Sequence, residues 1–310
     1  EPHQFVYNRI EYVIEKAKDK PQTWLYYLSD EPECRMVSPV YLTYMYKFVK
    51  EKDPYHPVMI ITRDPEMYTT CADILNPHPY VSPSVDDSGK RKLGVSIREI
   101  KNEIREVYES GKNRIPAWCT PQACTFGYYD RFADYPTFDE FNSMVWTAVT
   151  NGAKGFTPYI YYDHLNCVDL RLGADFIYET LANLEEFLFT HPDDKLKFEN
   201  KNRDIDVLIK EKDGKILLIA VNMTDKNQAD EIYSKGLSKI KKLYGFRENT
   251  VVDVKSGKIK LDFYPYQVHM FTYPEMGKDL KKVEVLKKEI DDIKEGFKKK
   301  GNILYGKGRQ

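Results

Sequence analysis

The five cysteines of this 310-residue chain, Cys34, Cys71, Cys119, Cys124 and Cys167, form no CxxC pair and show no metal-ligand spacing. An odd, sparse set of this kind is not a disulfide framework. There is no HxH pair and no His/Asp cluster of ligand spacing, so neither a metal nor another cofactor is expected. Charge of one sign is also lacking: 47 Lys and Arg stand against 48 Asp and Glu. Without a global field, nucleic acid is not an expected partner. No apolar run approaches membrane-spanning length, so no membrane partner is expected either. The first residue is Glu1 rather than Met and no signal peptide precedes it, which suggests a processed, cut or partial chain.

What the chain has in excess is aromatic side chains, 14% of the total with 24 tyrosines. Rings make good floors for sugars, and they are equally ordinary core and interface material. The length allows two domains with sizeable cores.

Short apolar runs alternate with helical patterns along the first part of the chain. Strands are expected at Trp24–Leu28, Val58–Thr62, Ala72–Leu75, Ile115–Pro121 and Phe156–Tyr162. Helices are expected over 5–17, 39–50, 95–110, from Pro136-Thr137 through Ala148, and over 173–189. The stretches 81–94 and 126–135 read as loops. Strand and helix alternating in this way mean parallel strands joined by right-handed crossovers. Each strand ends in polar or aromatic residues: Asp30-Glu31, Arg63-Asp64, Asn76/His78/Tyr80, Gln122 and Asp163-His164. The carboxyl ends of parallel strands are where such sheets do chemistry, so these residues form one candidate site.

The run Trp24-Leu-Tyr-Tyr-Leu-Ser-Asp-Glu-Pro-Glu33 is the most informative of these ends. Pro32 cannot donate to a ladder, so the strand stops there, and it biases Glu31 towards extended backbone. Neighbours on extended backbone point to opposite sides, so Asp30 and Glu31 cannot share one core. The alternative is a surface turn carrying two solvated acids. Arg63 and Asp64 are either part of the site or a salt bridge beneath it.

From about Arg203 the pattern becomes antiparallel. Ile205–Lys210 and Lys215–Val221 flank Asp213-Gly214, and Thr250–Val254 and Lys258–Leu261 flank Ser256-Gly257, so two hairpins are expected. Tyr264–Tyr273 supplies a last strand. Asn222-Met-Thr224 is a formal glycosylation sequon of a kind that arises often by chance. The tail from Gly277 reads as a charged helix with one apolar stripe, Leu280, Val283, Leu286, Ile290, Ile293 and Phe297. That stripe is expected to dock on a neighbouring domain or chain, with the lysines solvated.

The Trp24–Glu33 run resembles the fourth-strand motif of clan A-like (β/α)8 glycoside hydrolases, where a Glu preceded by Asn or Asp and followed by Pro is the general acid/base. Residues Pro136–Gly155 are similar to the helix and eighth strand of β-galactosidase-like barrels. Asn222 and Pro265–Phe271 are similar to the small β-sandwich that often follows. The resemblance implies an α/β fold in which residues 1–195 are the C-terminal five βα units of a TIM barrel. A β-sandwich over 203–274 and a charged helix or tail over 277–310 would follow. Strands one to three would then lie upstream on the same precursor or on another chain. It also implies a carbohydrate substrate and a secreted or periplasmic location.

One departure concerns mechanism. The family's nucleophile would fall at Cys119-Thr-Pro-Gln122, and Gln122 is not a nucleophile. A retaining pair needs two carboxyl groups about 5–5.5 Å apart. The Asp-Glu-Pro doublet looks like that of the substrate-assisted β-N-acetylgalactosaminidases, whose substrate 2-acetamido oxygen replaces the nucleophile. On that resemblance the enzyme is a glycosidase, retaining, with Glu31 as acid then base and Asp30 steadying the oxazolinium charge. Asp163 is an alternative nucleophile or base. Asn76, Gln122 and Tyr80 would hydrogen-bond the sugar, with Trp118, Tyr159 and Tyr161 stacking on it. Arg63, His78 and His164 would make further contacts. The competing reading is a non-catalytic carbohydrate-binding or assembly protein on a degenerate barrel, with Gln122 marking lost catalysis.

Overall fold

Apolar positions at helical spacing give α1 (Gln4–Ala17), which buries Ile14 and is capped by the His3 imidazole accepting from Phe5 N. The computed structural model describes residues 2–189 and 196–299. The chain divides into two units: Glu1–Pro79, Ile100–Thr120 and Asn151–Thr157 form the first, and Tyr80–Glu99, Pro121–Thr150 and Pro158–Gln310 the second.

In the first unit α1 leads to β1 (Tyr26–Asp30), then α2 (Pro39–Lys52), β2 (Val58–Ile61), the short α3 (Pro65–Tyr68) and β3 (Ile74–Asn76). Pro39 opens α2, where its missing N–H costs nothing. The strands pair in parallel in the order β1-β2-β3, with Asp30, Ile61 and Asn76 in register. Ile14, Val49 and Val58 make a core with Ile10, Tyr26, Leu28 and Tyr46. The parallel series continues only as isolated bridges, Leu75 with Ala117 and Cys119 with Phe156. The expected fourth and fifth strands are thus not full strands. Pro116, Pro121 and Pro158 fall within them, and each removes a ladder donor. Trp24, expected inside the first strand, precedes it and is 76% exposed.

The second unit opens with a hairpin where a loop is expected: β4 (Pro83–Val85) pairs with β5 (Arg91–Leu93). Asp86 accepts from the backbone of Ser88 and Lys90 to close its turn. Helix α4 (Arg98–Ser110) comes next in the chain and from Ile100 belongs to the first unit, whereas the buried α5 (Phe138–Thr150) and the single turn α6 (Tyr161–His164) belong to the second. The helix expected over 173–189 is α7 (Val168–Asn183) and α8 (Glu185–Leu188), broken at Leu184.

The antiparallel part holds β6 (Ile205–Lys212), β7 (Lys215–Asn222), β8 (Gln228–Tyr233), β9 (Lys242–Gly245), β10 (Val251–Asp253), β11 (Lys258–Phe263) and β12 (Val268–Tyr273). Asp213 and Gly214 take φ of 52° and 76°, and the first expected hairpin forms as β6–β7. The second does not. β10 pairs with β9 and β11 with β8, leaving only a Lys255–Lys258 bridge between them. The resulting sheets, β10-β9-β12-β7-β6 and β11-β8, share one buried apolar cluster that includes Ile209, Leu218, Ile259, Phe263 and Phe271. Asn222 is buried, with its amide donating to Lys226 O and Tyr264 O, so the sequon asparagine is a turn-former.

The final helix α9 (Val283–Lys299) buries Leu286 and Ile290 and packs on α7 of the same unit. Its lysines are not all merely solvated: Lys294 pairs with Asp169 at 2.5 Å and Lys287 with Asp139 at 2.7 Å. Tail residues 300–310 lie outside the described residues.

Candidate active site

Parallel pairing brings the carboxyl ends of β1, β2 and β3 to one edge of the first unit's sheet. Glu31 is the first residue beyond β1. It does not take the extended conformation expected before a proline, but φ of 42°. Pro32 disfavours the right-handed helical region at Glu31, and a left-handed non-glycine residue costs on the order of 1–3 kcal/mol. Backbone bonds hold it there: Glu31 N donates to Ile61 O at 3.0 Å, while its carbonyl accepts from Cys34 N at 3.0 Å and Arg35 N at 3.3 Å. The side chain is thereby turned to His78, two residues beyond β3, whose Nε2 lies 2.5 Å from Glu31 Oε1. The contact reaches past the end of β2. His78 is buried while the Glu31 side chain remains 33% exposed. A carboxyl held by a ring nitrogen and still open to solvent can give and take a proton.

Asp30 is committed differently. Its Oδ1 accepts from Tyr27 Oη at 2.6 Å and its Oδ2 pairs with Arg35 Nη2 at 3.1 Å. Glu33, which the sequence reading passes over, caps the end of β2 by accepting from Arg63 N at 2.7 Å and Thr62 Oγ1 at 2.9 Å. Arg63 is exposed, and no Arg63–Asp64 ion pair forms among the described residues.

Asn76 has no exposed surface. Its Nδ2 donates to Thr157 Oγ1 at 2.7 Å, Thr120 Oγ1 donates to its Oδ1 at 3.1 Å, and the two threonines lie 2.7 Å apart. This buried polar knot ties together the ends of three parallel segments. Thr120 and Thr157 were missed, although both stand at the polar ends of expected strands. Trp118 lies half-buried with its indole flat against the backbone of Gly155; a Cβ there would sit 2.8 Å from Cζ2 and closer still to the ring fusion.

The remaining expected site residues belong to the second unit. The Tyr80 ring lies 5.5 Å from Phe126 and 5.8 Å from Tyr159, and Tyr159 is 44% exposed. Gln122 is fully buried: Oε1 accepts from Ser82 N at 2.8 Å and Nε2 donates to Cys124 O at 3.0 Å. Those two bonds need an acceptor and a donor on one side chain, which an ionised Glu cannot provide. Tyr161 and His164 open and close α6, with Asp163 between them rather than at the end of a strand. Burial, with the charge of Asp163 adding to it, pushes the Tyr135 phenol and the Cys124 thiol each up to about 12. Among the described residues, no three His, Cys, Asp or Glu side chains gather as a metal set.

No protein-family model matches the chain and no curated protein does. Solved structures do. A GH30 endoxylanase from Clostridium papyrosolvens C71 is 12% identical with a TM-score of 0.50, over 86% of this chain and 70% of that one. An alpha-amylase from Geobacillus thermoleovorans complexed with acarbose is 12% identical with a TM-score of 0.53, over 86% and 63%. A structure described as a glycoside hydrolase is 12% identical with a TM-score of 0.56, over 86% and 67%. The chain therefore spans roughly two thirds of the length of these structures, and over that part its fold is similar to theirs.

Proposed function

We propose that the chain is a glycosidase in which Glu31 protonates the leaving oxygen and then activates water. The observation that carries this reading is the 2.5 Å contact between buried His78 and partly open Glu31 at the edge where the parallel strands end. Asp30, which accepts from Tyr27 and pairs with Arg35, is proposed to steady positive charge rather than to move a proton. The carboxamide at Gln122 supports a substrate-assisted route, in which a 2-acetamido oxygen attacks the anomeric carbon. Trp118 is the sugar platform we propose in the unit that carries Glu31. Residues 1–195 we assign to barrel-type βα units, 203–274 to a β-sandwich and 277–310 to the closing helix or tail.

The test is a panel of aryl glycosides with and without a 2-acetamido group. Wild type should release aryl alcohol from the acetamido sugars alone, and Glu31→Gln should lower turnover by about 10²–10⁴-fold while sugar affinity persists. Equal turnover of plain galactosides removes assistance by the acetamido group. Glycan binding without any turnover in wild type would instead establish a carbohydrate-binding protein.

A further inference from the structure

A cavity of about 800 Å³ opens in the second unit, lined by residues of α5, α9 and the antiparallel sheets. Most of the charged side chains around it cancel in pairs. Lys287 Nζ meets Asp139 Oδ1 at 2.7 Å. His269 Nδ1 lies 2.7 Å from Glu248 Oε2 while its Nε2 donates to Asp262 O at 3.1 Å, so this pair is neutral whichever partner holds the shared proton. The carboxylates of Asp262 and Glu284 remain. Both are exposed, and neither meets a cation among the described residues; Glu284 Oε1 accepts only from Asn249 N at 3.3 Å. Two solvated acids by themselves select nothing. A second observation comes from the buried side of the same cavity. Asn142 of α5 lines it with 5% of its surface exposed, and its Oδ1 accepts no hydrogen bond from any described residue. A buried acceptor left without a donor costs on the order of 1–3 kcal/mol, which a donor on a ligand would offset. Tyr264, 70% exposed, adds a ring whose face attracts cations. The cavity therefore offers an unmet acceptor where it is buried and two uncompensated negative charges where it is open. An anion would be repelled there, and a neutral sugar would gain nothing from the charges. A chain carrying more than one ammonium group matches both levels, since an ammonium is donor-only and positive.

We infer that this cavity binds a linear diamine or polyamine, one ammonium group donating to Asn142 Oδ1 and another held by the Asp262 and Glu284 carboxylates. The inference goes beyond the glycosidase reading and does not rest on it: every residue it uses belongs to the second unit, whereas Glu31 belongs to the first. The test is calorimetric titration of the 310-residue protein with spermidine. Binding should saturate at one site and weaken several-fold between about 20 and about 150 mM salt, as screening grows. Asp262→Asn and Glu284→Gln, both at exposed positions, should each weaken it by about 2–5-fold, and the double variant by about tenfold. Asn142→Leu keeps the shape of the side chain without its acceptor and should weaken binding by about tenfold. Should that variant fail to fold, the two surface variants decide the matter. Asp291→Asn removes an exposed acid of α9 that does not line the cavity, and should leave the affinity unchanged. Three results overturn the inference. One is the absence of saturable spermidine binding at low salt. Another is an equal loss in Asp291→Asn, which would reduce the effect to diffuse charge attraction. The third is tighter binding of methyl glucoside or of inorganic phosphate than of spermidine, which would make the cavity a sugar or an anion site.

Discussion

His78 reaches Glu31 at 2.5 Å from the far side of β2, so two strand ends that do not pair with each other are joined by one side-chain contact. Nothing in the local sequence of either residue requires it. The contact depends on the strand order and on the left-handed turn at Glu31.

Because His78 is buried, its partner matters more to it than it does to Glu31. Truncating Glu31 to Ala should leave the imidazole without this contact at a cost of about 1–3 kcal/mol. Truncating both should cost less than the sum, with a coupling of about 0.5–3 kcal/mol in urea unfolding. Additive losses would mean that the two side chains do not interact.

Much of this arrangement can be read from sequence, and the failures have physical causes. The order of parallel strands and the Asp30-Glu31-Pro32 stop follow from apolar runs and proline chemistry. The backbone at Glu31 does not, because three hydrogen bonds to distant or following residues outweigh the preference that Pro32 imposes. The pairing of β10 and β11 misleads for a similar reason. Ser256-Gly257 adopts turn geometry, but β11 pairs along its whole length with β8, and the short β10 pairs with β9. Gln122 shows in the sequence only as an amide where a nucleophile would be expected; its buried bonds to Ser82 and Cys124 depend on tertiary contacts that the sequence does not display.

Gly155 is required by the Trp118 ring, which occupies the space of any side chain there. Gly155→Ala should destabilise the protein by about 1–3 kcal/mol through overpacking and shift Trp118 emission. Adding Trp118→Ala should recover part of that loss. If Gly155→Ala is neutral in thermal unfolding, the ring does not rest on the backbone.

The Asn76–Thr120–Thr157 knot predicts a structural phenotype at a residue read from sequence as sugar-binding. Asn76→Ala would remove the amide from between the Thr120 and Thr157 hydroxyls, leaving them only each other, and should cost about 1–3 kcal/mol. Thr157→Val should cost less, since Asn76 keeps its bond from Thr120. A fall in sugar affinity with unchanged stability in Asn76→Ala would reverse the assignment and return Asn76 to the binding surface.

Acid sensitivity should trace in part to Asp53. Burial alone would raise its pKa, but the carboxylate accepts from Tyr26 Oη at 2.8 Å, from the backbone of Tyr55 and His56, and pairs with His56 Nδ1 at 2.7 Å. The bonds outweigh burial, and the folded-state pKa lies well below the ordinary value of about 3.9. The unfolded chain therefore takes up the proton first as pH falls. Asp53 contributes stability that is complete above about pH 5 and is lost progressively as the solution is acidified towards the folded-state value. Asp53→Asn cannot accept at both oxygens, so it should lower the urea midpoint at pH 7 and flatten the acid limb of the stability curve. Urea titrations between about pH 2 and pH 7 read both effects. Parallel acid limbs for the two proteins would show that these hydrogen bonds do not favour the ionised form.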